Sequence, residues 1–299
     1  MKKQRGELRF AVIGSPVEHS RSPAMHRAAF AALGMPHTYE KLETPEADLP
    51  RRLQELRDGT FAGLNVTIPH KSRVLDLVDE LSPSVRAMGA ANTLVRTPDK
   101  LVVAHNTDAP ALRQELEALG DTAGLGPPRT GAMEQATFRN RSVLVLGTGG
   151  AARAAVVAVA SLGAARIIVR ARSSEHAASL HELVPTTTLE VQPLAAPDRE
   201  REDLAAIVQA TSCGMQGGPA GEPVADAVAW ASVPADAIAY DVVYIPRNTP
   251  FLERARQRGL VCDDGLGMLA RQGALAFQLW LGVVPPLDVM RAALLDQTA

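Results

Sequence analysis

The stretch SVLVLGTGGAAR, residues 142–153, constrains the fold more than any other part of the chain. Ser142–Leu146 is a short apolar run of the kind that becomes a strand buried on both faces. Gly147 allows a sharp turn after it, and Gly149 lets backbone approach a ligand with no Cβ in the way. Ala152 takes the third position of G-x-G-x-x-[G/A], where a small side chain lets the next helix pack close to the strand. That helix is rich in Ala and Val, and its free N-terminal amides would face an anion. A glycine-rich βα turn that binds nothing has the same letters. The flanking strand and helix favour a site for the pyrophosphate of a dinucleotide.

The second strand of such a unit decides which dinucleotide. Sites for NAD usually carry an acidic residue about 20 positions on, which binds the ribose 2′-hydroxyl. Here the strand 166–169 runs into Arg170-Ala171-Arg172-Ser173-Ser174, with two guanidinium groups and no carboxylate. A guanidinium can hold a 2′-phosphate through a bidentate contact, which favours NADP. The alternative is that these are solvated loop arginines.

At 299 residues the chain is long enough for two domains, each with its own core. A net charge of -2 gives no reason to expect a nucleic-acid or anionic-membrane partner. The start, MKKQRGELRF, lacks an apolar signal region, and no uncharged run is long enough to span a bilayer, so a cytoplasmic location is expected. Cys213 and Cys262 are too isolated for a disulfide framework, the seven histidines show no ligand spacing, and no metal is implied.

Strands are expected at 8–13, 37–42, 61–68, 91–96 and 101–104, the last two joined by a turn at 97–100. Helices are expected at 22–33, with Ser22 as N-cap and Pro23 at N1, at 47–57, and at 108–119, with Asp108 as N-cap. The Gly- and Pro-rich segment 121–140 reads as a long connection. Beyond the dinucleotide unit, strands near 205–210 and 237–243 precede helices at 266–281 and 287–295, and 180–197 carries no reading. Strands alternating with helices in both halves imply an α/β fold with parallel sheets.

Hydride transfer would need a proton-exchanging group on the substrate side. The loop Gly14–Pro23 offers hydroxyls at a helix N-terminus, a receptor for a carboxylate, although Ser20 and Ser22 also suit turn and cap roles. Lys71, in NVTIPHK, could serve as acid or base if desolvated or paired, and equally could be a surface charge. Asp108, in HNTDA, and Gln272, near the start of the 266–281 helix, are open in the same way.

Taken together the motifs are specific. AVIGSPVEHSRSPAMH, GLNVTIPHK, GAANTL, HNTDA, VLGTGGAAR, ATSCGM, YDVVYIPRNTPFL and DGLGMLARQGALAF occur in order, and by them the chain resembles the shikimate dehydrogenase family from Phe10 to about Val284. The resemblance implies two α/β domains around a cleft. An N-terminal substrate and catalytic domain, 1–112, would be completed by 265–299, with a Rossmann-type NADP-binding domain at 113–264. It implies NADPH-dependent interconversion of 3-dehydroshikimate and shikimate, a small-molecule substrate, and a monomer or homodimer.

By motif, Lys71 and Asp108 match the family's catalytic pair, which also binds substrate. Ser20, Ser22 and Tyr244 match its carboxylate contacts, and Thr67, Asn92 and Gln272 its contacts to ring hydroxyls. Gly147, Thr148, Gly149, Gly150 and Ala151 would hold the pyrophosphate, Arg172 and Ser173 the 2′-phosphate, and Val242 and Gly265 would lie near the nicotinamide.

Three departures stand out. Ala171-Arg172-Ser173 replaces the family's Asn-Arg-Thr, with Arg170 as the expected compensation. Ala109 replaces a frequent Gly after the N-T-D motif, and 121–140 is longer than the family leads one to expect. Two alternatives remain at this point: a sister dehydrogenase for quinate or an aminated analogue, and a non-catalytic ligand-binding regulator. The serine pair favours shikimate over quinate, and retention of both Lys71 and Asp108 argues against the regulator.

Overall fold

Apolar runs become the central strands of two separate sheets. The computed structural model describes residues 6–125, 136–173 and 179–296. The first five residues of the basic start, Ser174 and half of the Gly/Pro-rich connection, 126–135, therefore lie outside the described residues. One unit comprises Met1–Asp108 with Leu269–Ala299, and the other Ala109–Met268. No helix among the described residues is long and apolar enough to cross a membrane.

In the first unit, β1 (Arg9–Gly14) lies between β2 (Thr38–Glu43) and β3 (Gly63–Val66) and is parallel to both. β4 (Glu80–Leu81) edges the sheet beside β6 (Val102–His105), and β5 (Thr93–Arg96) runs antiparallel to β3 and β6. The order is β2-β1-β3-β5-β6-β4. This sheet is mixed, which corrects the expectation of parallel sheets in both halves. The turn at 97–100 explains it: a hairpin must return its second strand antiparallel.

Side chains alternate across this sheet. Ala11 and Ile13 pack with Leu49, Leu53 and Leu56 of α2 (Leu49–Asp58), whose spacing puts them on one helical face. Phe10, on the opposite face, meets Phe30 of α1 (Ser22–Ala32) at 5.5 Å and Trp280 at 5.0 Å between ring centroids. Each fully buried aromatic contributes roughly 1.5–3 kcal/mol. Gly63 has a steric reason, because a Cβ there would fall 2.3 Å from the Trp280 indole nitrogen. That nitrogen donates to Leu94 O at 3.0 Å. A short α3 (Pro83–Met88) completes the chain before β5.

Two expected caps move by a residue or two. Arg21 occupies the N-cap of α1 and Ser22 is its first helical residue, with the Ser20 hydroxyl accepting from Ser22 N at 3.3 Å. Ser20, not Ser22, thus satisfies an N-terminal amide. Likewise Asp108 opens α4 (Asp108–Ala123), and Asn106 Oδ1 takes its amide at 2.9 Å. Because α4 continues to Ala123, the first residues of the expected connection are helical.

The six-stranded sheet of the second unit is parallel throughout. β7 (Ser142–Leu146), β8 (Arg166–Ala171), β9 (Thr188–Pro193), β10 (Leu204–Gln209), β11 (Ile238–Asp241) and β12 (Val261–Asp263) adopt the order β12-β11-β10-β7-β8-β9. Counted from β7 this is 3-2-1-4-5-6, the Rossmann order, whose switch point lies beyond the carboxyl ends of β7 and β10. α5 (Gly150–Ser161) follows β7 directly. Leu144, Ile207, Ala239, Phe251 and Leu252 share one core, covered by α6 (Glu222–Ala225) and α7 (Pro250–Gln257). β9 falls in the segment left without a reading. α8 (Leu266–Leu281) and α9 (Leu287–Leu295) end the chain, and α9 packs on α1.

Candidate active site

Lys71 sits in the turn after β3, where the amide of Ala91 donates to its carbonyl at 2.7 Å and anchors its backbone. Its Nζ donates to Asp108 Oδ2 at 2.6 Å. The other carboxylate oxygen, Oδ1, accepts from Asn92 Nδ2 at 2.8 Å. Asn92 Nδ2 also reaches Thr107 Oγ1 at 2.9 Å and Gln272 Oε1 at 3.4 Å. Lys71, Asp108, Asn92 and Gln272 are therefore joined by direct hydrogen bonds, although 201 positions separate the first from the last.

The orientation of Asn92 is fixed from behind. Its Oδ1 accepts from Thr107 N at 2.9 Å and Thr93 Oγ1 at 3.1 Å, so its amide nitrogen must face Asp108. Asn65 Nδ2 donates to Asn92 O and to Thr93 Oγ1, both at 3.1 Å, and Asn65 Oδ1 accepts from the Tyr39 hydroxyl at 2.7 Å. Asn106 holds the same turn through Ala90 O at 2.9 Å. These groups are buried, and burial without partners would cost about 1–3 kcal/mol each, so the network orients rather than merely fills.

Sequence reasoning named none of Tyr39, Asn65, Asn106 or Thr107 as site residues. Asn65 carried a readable signal, an amide inside the otherwise apolar run of β3.

The hydroxyl candidates lie on neighbouring loops. Ser22 is buried and hydrogen-bonds Tyr39, while Ser20 is half-buried. Thr67 leaves β3 with its amide on Ile13 O at 2.9 Å, and Gly14 makes room for it, since a Cβ there would meet Thr67 Cγ2 at 2.4 Å. His26 is no proton carrier, because complete burial holds its pKa down to about 3 and keeps the ring neutral.

In chemical terms, a lysine ammonium has three donors, one of which Asp108 takes here. The side chains are 28% and 11% exposed, so the pair is held yet reachable. Such a pair can deliver a proton to an oxygen that gains charge, and can take it back.

In the second unit the β7–α5 turn is the candidate dinucleotide cradle. Gly147 has φ +112, and a Cβ on it would fall 2.7 Å from Thr211 Cγ2, so only glycine fits. Gly149, the N-cap of α5, has φ -73 and makes no side-chain cap. A Cβ on Gly149 or on Gly150 would meet nothing within 4 Å. Those glycines keep space open rather than serve the turn. Thr148 and Ala151 are half-buried beside them. Uncapped amides with open space in front suit a phosphate, and the chain fits a dinucleotide here.

Arg172 is exposed and Ser173 half-buried at the end of β8. Arg170, expected to compensate in the 2′-phosphate clamp, does not point that way. It is buried in a two-pronged ion pair with Glu200, at 2.7 and 2.8 Å, and also donates to Ala227 O at 2.8 Å. Its charge is spent inside the fold.

Val242 and Tyr244 are half-buried on the loop after β11. Val242 N donates to Gln209 O, and Gly265 N to Val243 O, each at 3.0 Å. A Cβ on Gly265 would fall 2.0 Å from Val242 O, so that position needs glycine.

Comparisons with known proteins bear on both units. Residues 12–94 match the shikimate dehydrogenase substrate binding domain, and 265–295 the shikimate 5'-dehydrogenase C-terminal domain. The NADP(+) shikimate dehydrogenase of Methylobacterium radiotolerans is 40% identical over 279 residues, covering 92% of this chain and 91% of that protein. Shikimate 5-dehydrogenase from Thermus thermophilus, solved with NADP(H) and shikimate, is 37% identical with a TM-score of 0.77, over 97% of this chain and 99% of that one. A ligand-free 5-ketofructose reductase from Gluconobacter has a TM-score of 0.82 at 26% identity, over 97% of this chain and 99% of that one. With relatives this similar over nearly its whole length, and with the motifs and both sheets in place, the chain belongs to the shikimate dehydrogenase family.

Proposed function

We propose that the protein reduces 3-dehydroshikimate reversibly to shikimate with NADPH, as a step toward aromatic amino acids. The observation that carries this reading is the hydrogen-bonded unit Lys71–Asp108–Asn92, in a chain of this family. Bound NADPH supplies the hydride. The chain's own residues handle the proton. Lys71 Nζ gives one to the ketone oxygen as that oxygen gains negative charge, and takes it back in the reverse direction. Asp108 neutralises and aims the ammonium, while Asn92 holds Asp108 so that one oxygen stays on Lys71.

In this reading Ser20 and Ser22 receive the substrate carboxylate, and Tyr244 joins them on the family resemblance. Thr67, Asn92 and Gln272 receive ring hydroxyls. Gly147 to Ala151 cradle the pyrophosphate, Val242 and Gly265 flank the nicotinamide, and Arg172 with Ser173 reads the 2′-phosphate. With Arg170 withdrawn, Arg172 is the one guanidinium of the pair left for that task. The first unit is the substrate domain and the second the NADP domain. A cytoplasmic location and a monomer or homodimer belong to the same proposal.

Quinate differs by an extra C1 hydroxyl beside the carboxylate, and the structural likeness to a quinate dehydrogenase from Corynebacterium glutamicum solved with NAD makes it the second substrate to try. Initial rates with shikimate and quinate, each with NADP and NAD, test the assignment. The highest kcat/KM is expected for shikimate with NADP. A higher value for quinate, or for NAD, would overturn the corresponding half.

A further inference from the structure

The loops that follow β10 and β11 are tied together by a buried carboxylate with no catalytic assignment. Gln209 and Asp241 are register partners at the ends of those strands, and both are completely buried. Asp241 accepts from Gln209 Nε2 at 3.1 Å, from Val243 N at 2.9 Å and from the Thr249 hydroxyl at 2.6 Å. Gln209 in turn holds the neighbouring loop, donating to Cys213 O at 3.1 Å and accepting from Thr211 N at 2.6 Å. Thr249 also caps α7, accepting from Leu252 N at 3.3 Å.

Contacts between the loops tighten the arrangement. Gln216 N donates to Ile245 O at 2.8 Å, and a Cβ on Gly221 would fall 2.8 Å from Pro250 Cδ. On the far side Asp264 accepts from Arg247 Nε at 2.7 Å and from Leu266 N at 2.9 Å. The segment 242–249 is thus held at its start, middle and end.

An ionised carboxylate held by three neutral donors is a costly way to fix a loop. Desolvation, with Asp264 adding repulsion, lifts the Asp241 pKa to about 6. All three of these partners donate to it, so the network is built for the ionised form. An apolar residue would avoid the cost of the charge and lose the path of the loop.

We infer that Asp241 is a positioning residue for the cofactor: through Gln209, Val243 and Thr249 it sets the path of 242–249, and with it the placement of Val242 and Tyr244. This rests on the reading above, in which Val242 lies near the nicotinamide.

The test uses the full-length protein carrying Asp241→Asn, Thr249→Val or Thr249→Ser. Asparagine keeps the volume but presents an amide where the Thr249 hydroxyl donates. NADPH dissociation constants come from fluorescence titration at a pH where Asp241 is ionised. Asp241→Asn and Thr249→Val are expected to weaken binding about tenfold, with Thr249→Ser within about twofold of wild type, the scale typical of outer-layer ligand supports. Amide exchange should quicken across 243–249 while β7 stays as protected as in wild type.

Unchanged NADPH affinity in Thr249→Val and Asp241→Asn would overturn the inference, and should Asp241→Asn fail to fold, the Thr249 pair decides alone. Lys71→Ala separates the two readings. Retained turnover in that variant would fault the proposed chemistry, whereas the affinities of the Asp241 and Thr249 variants test positioning alone.

Discussion

Lys71 and Asp108 form an ion pair whose side chains are 28% and 11% exposed, while Arg170 and Glu200 form one with side chains 3% and 1% exposed. Both pairs stand at or just beyond a strand end and both have short N–O contacts. Their settings differ in what remains free. Lys71 keeps donors beyond the one that Asp108 takes, whereas the Arg170 guanidinium is shared among Glu200, Ala227 O and Gln192. The first unit thus leaves part of its paired charge within reach of solvent. The second buries the Arg170–Glu200 pair and has glycine backbone at the β7–α5 turn, where the proposed cofactor would lie. A charged residue at a strand end is therefore no sign of a ligand contact until its partners have been counted.

The largest expected effect tests the partly exposed pair. Lys71→Ala should lower kcat by about 10²–10⁴, because the group acts when charge develops on the substrate oxygen. NADPH affinity should hardly move, and the loss of stability should be smaller than for a fully buried pair, because Asp108 keeps its hydrogen bond from Asn92. Steady-state rates, with a cofactor titration beside them, check this. A variant that keeps wild-type kcat would remove Lys71 from the chemistry.

Arg170→Met reverses the pattern. It strands the Glu200 carboxylate in the interior, at a cost of about 3–5 kcal/mol in unfolding free energy. The ratio of kcat/KM for NADPH over NADH should stay at the wild-type value. Urea denaturation and paired cofactor assays read both quantities, and a collapsed ratio in a stably folded variant would return Arg170 to the phosphate clamp.

The same two pairs also show how far the sequence could be read. The β7–α5 turn was legible because every residue that defines it is a neighbour in the chain. Lys71, Asp108 and Asn92 were legible only through motif order, since no local pattern joins residues 37 and 16 positions apart. Arg170 was misread because its partner lies 30 residues away, in a stretch without periodicity. β9 was missed for a related reason: Thr188–Pro193 is an edge strand with one buried residue, so it lacks the apolar run that marks β7. Asn65 and Tyr39 meet across 26 positions by sheet register, which a single sequence does not display.

The buried carboxylate of Asp241 gives the hidden charges of the second unit a signature in pH. Its pKa rises from 3.8 to about 6 on folding, so the native chain binds that proton more tightly than the unfolded one. The group therefore favours the folded state below about pH 4, and that contribution is lost as pH rises through about 6. The shift corresponds to about 3 kcal/mol. Asp241→Asn does not titrate, so its stability relative to wild type should improve by about that amount between pH 4 and pH 7. Urea midpoints across that range measure it, and a difference independent of pH would show that Asp241 does not change ionisation on folding.

The smallest expected effect falls on the β7–α5 turn, where the proposed ligand contacts are backbone amides rather than side-chain charges. Gly149 has φ -73, which alanine adopts freely, and its Cβ would meet nothing within 4 Å. Alanine is a poorer N-cap than glycine, yet it restricts the unfolded chain, and the two effects nearly cancel, leaving stability within about 0.5 kcal/mol. A phosphate seated on the first amides of α5 would meet the added methyl group. NADPH affinity should then fall by about 1–3 kcal/mol, the usual cost of one extra methyl in a filled space. Gly265→Ala is the contrasting change, because its Cβ collides with Val242 O at 2.0 Å and disturbs the fold whether or not a ligand is present. A calorimetric titration that finds Gly149→Ala binding NADPH as tightly as wild type would mean that the open space in front of α5 is not where the pyrophosphate lies.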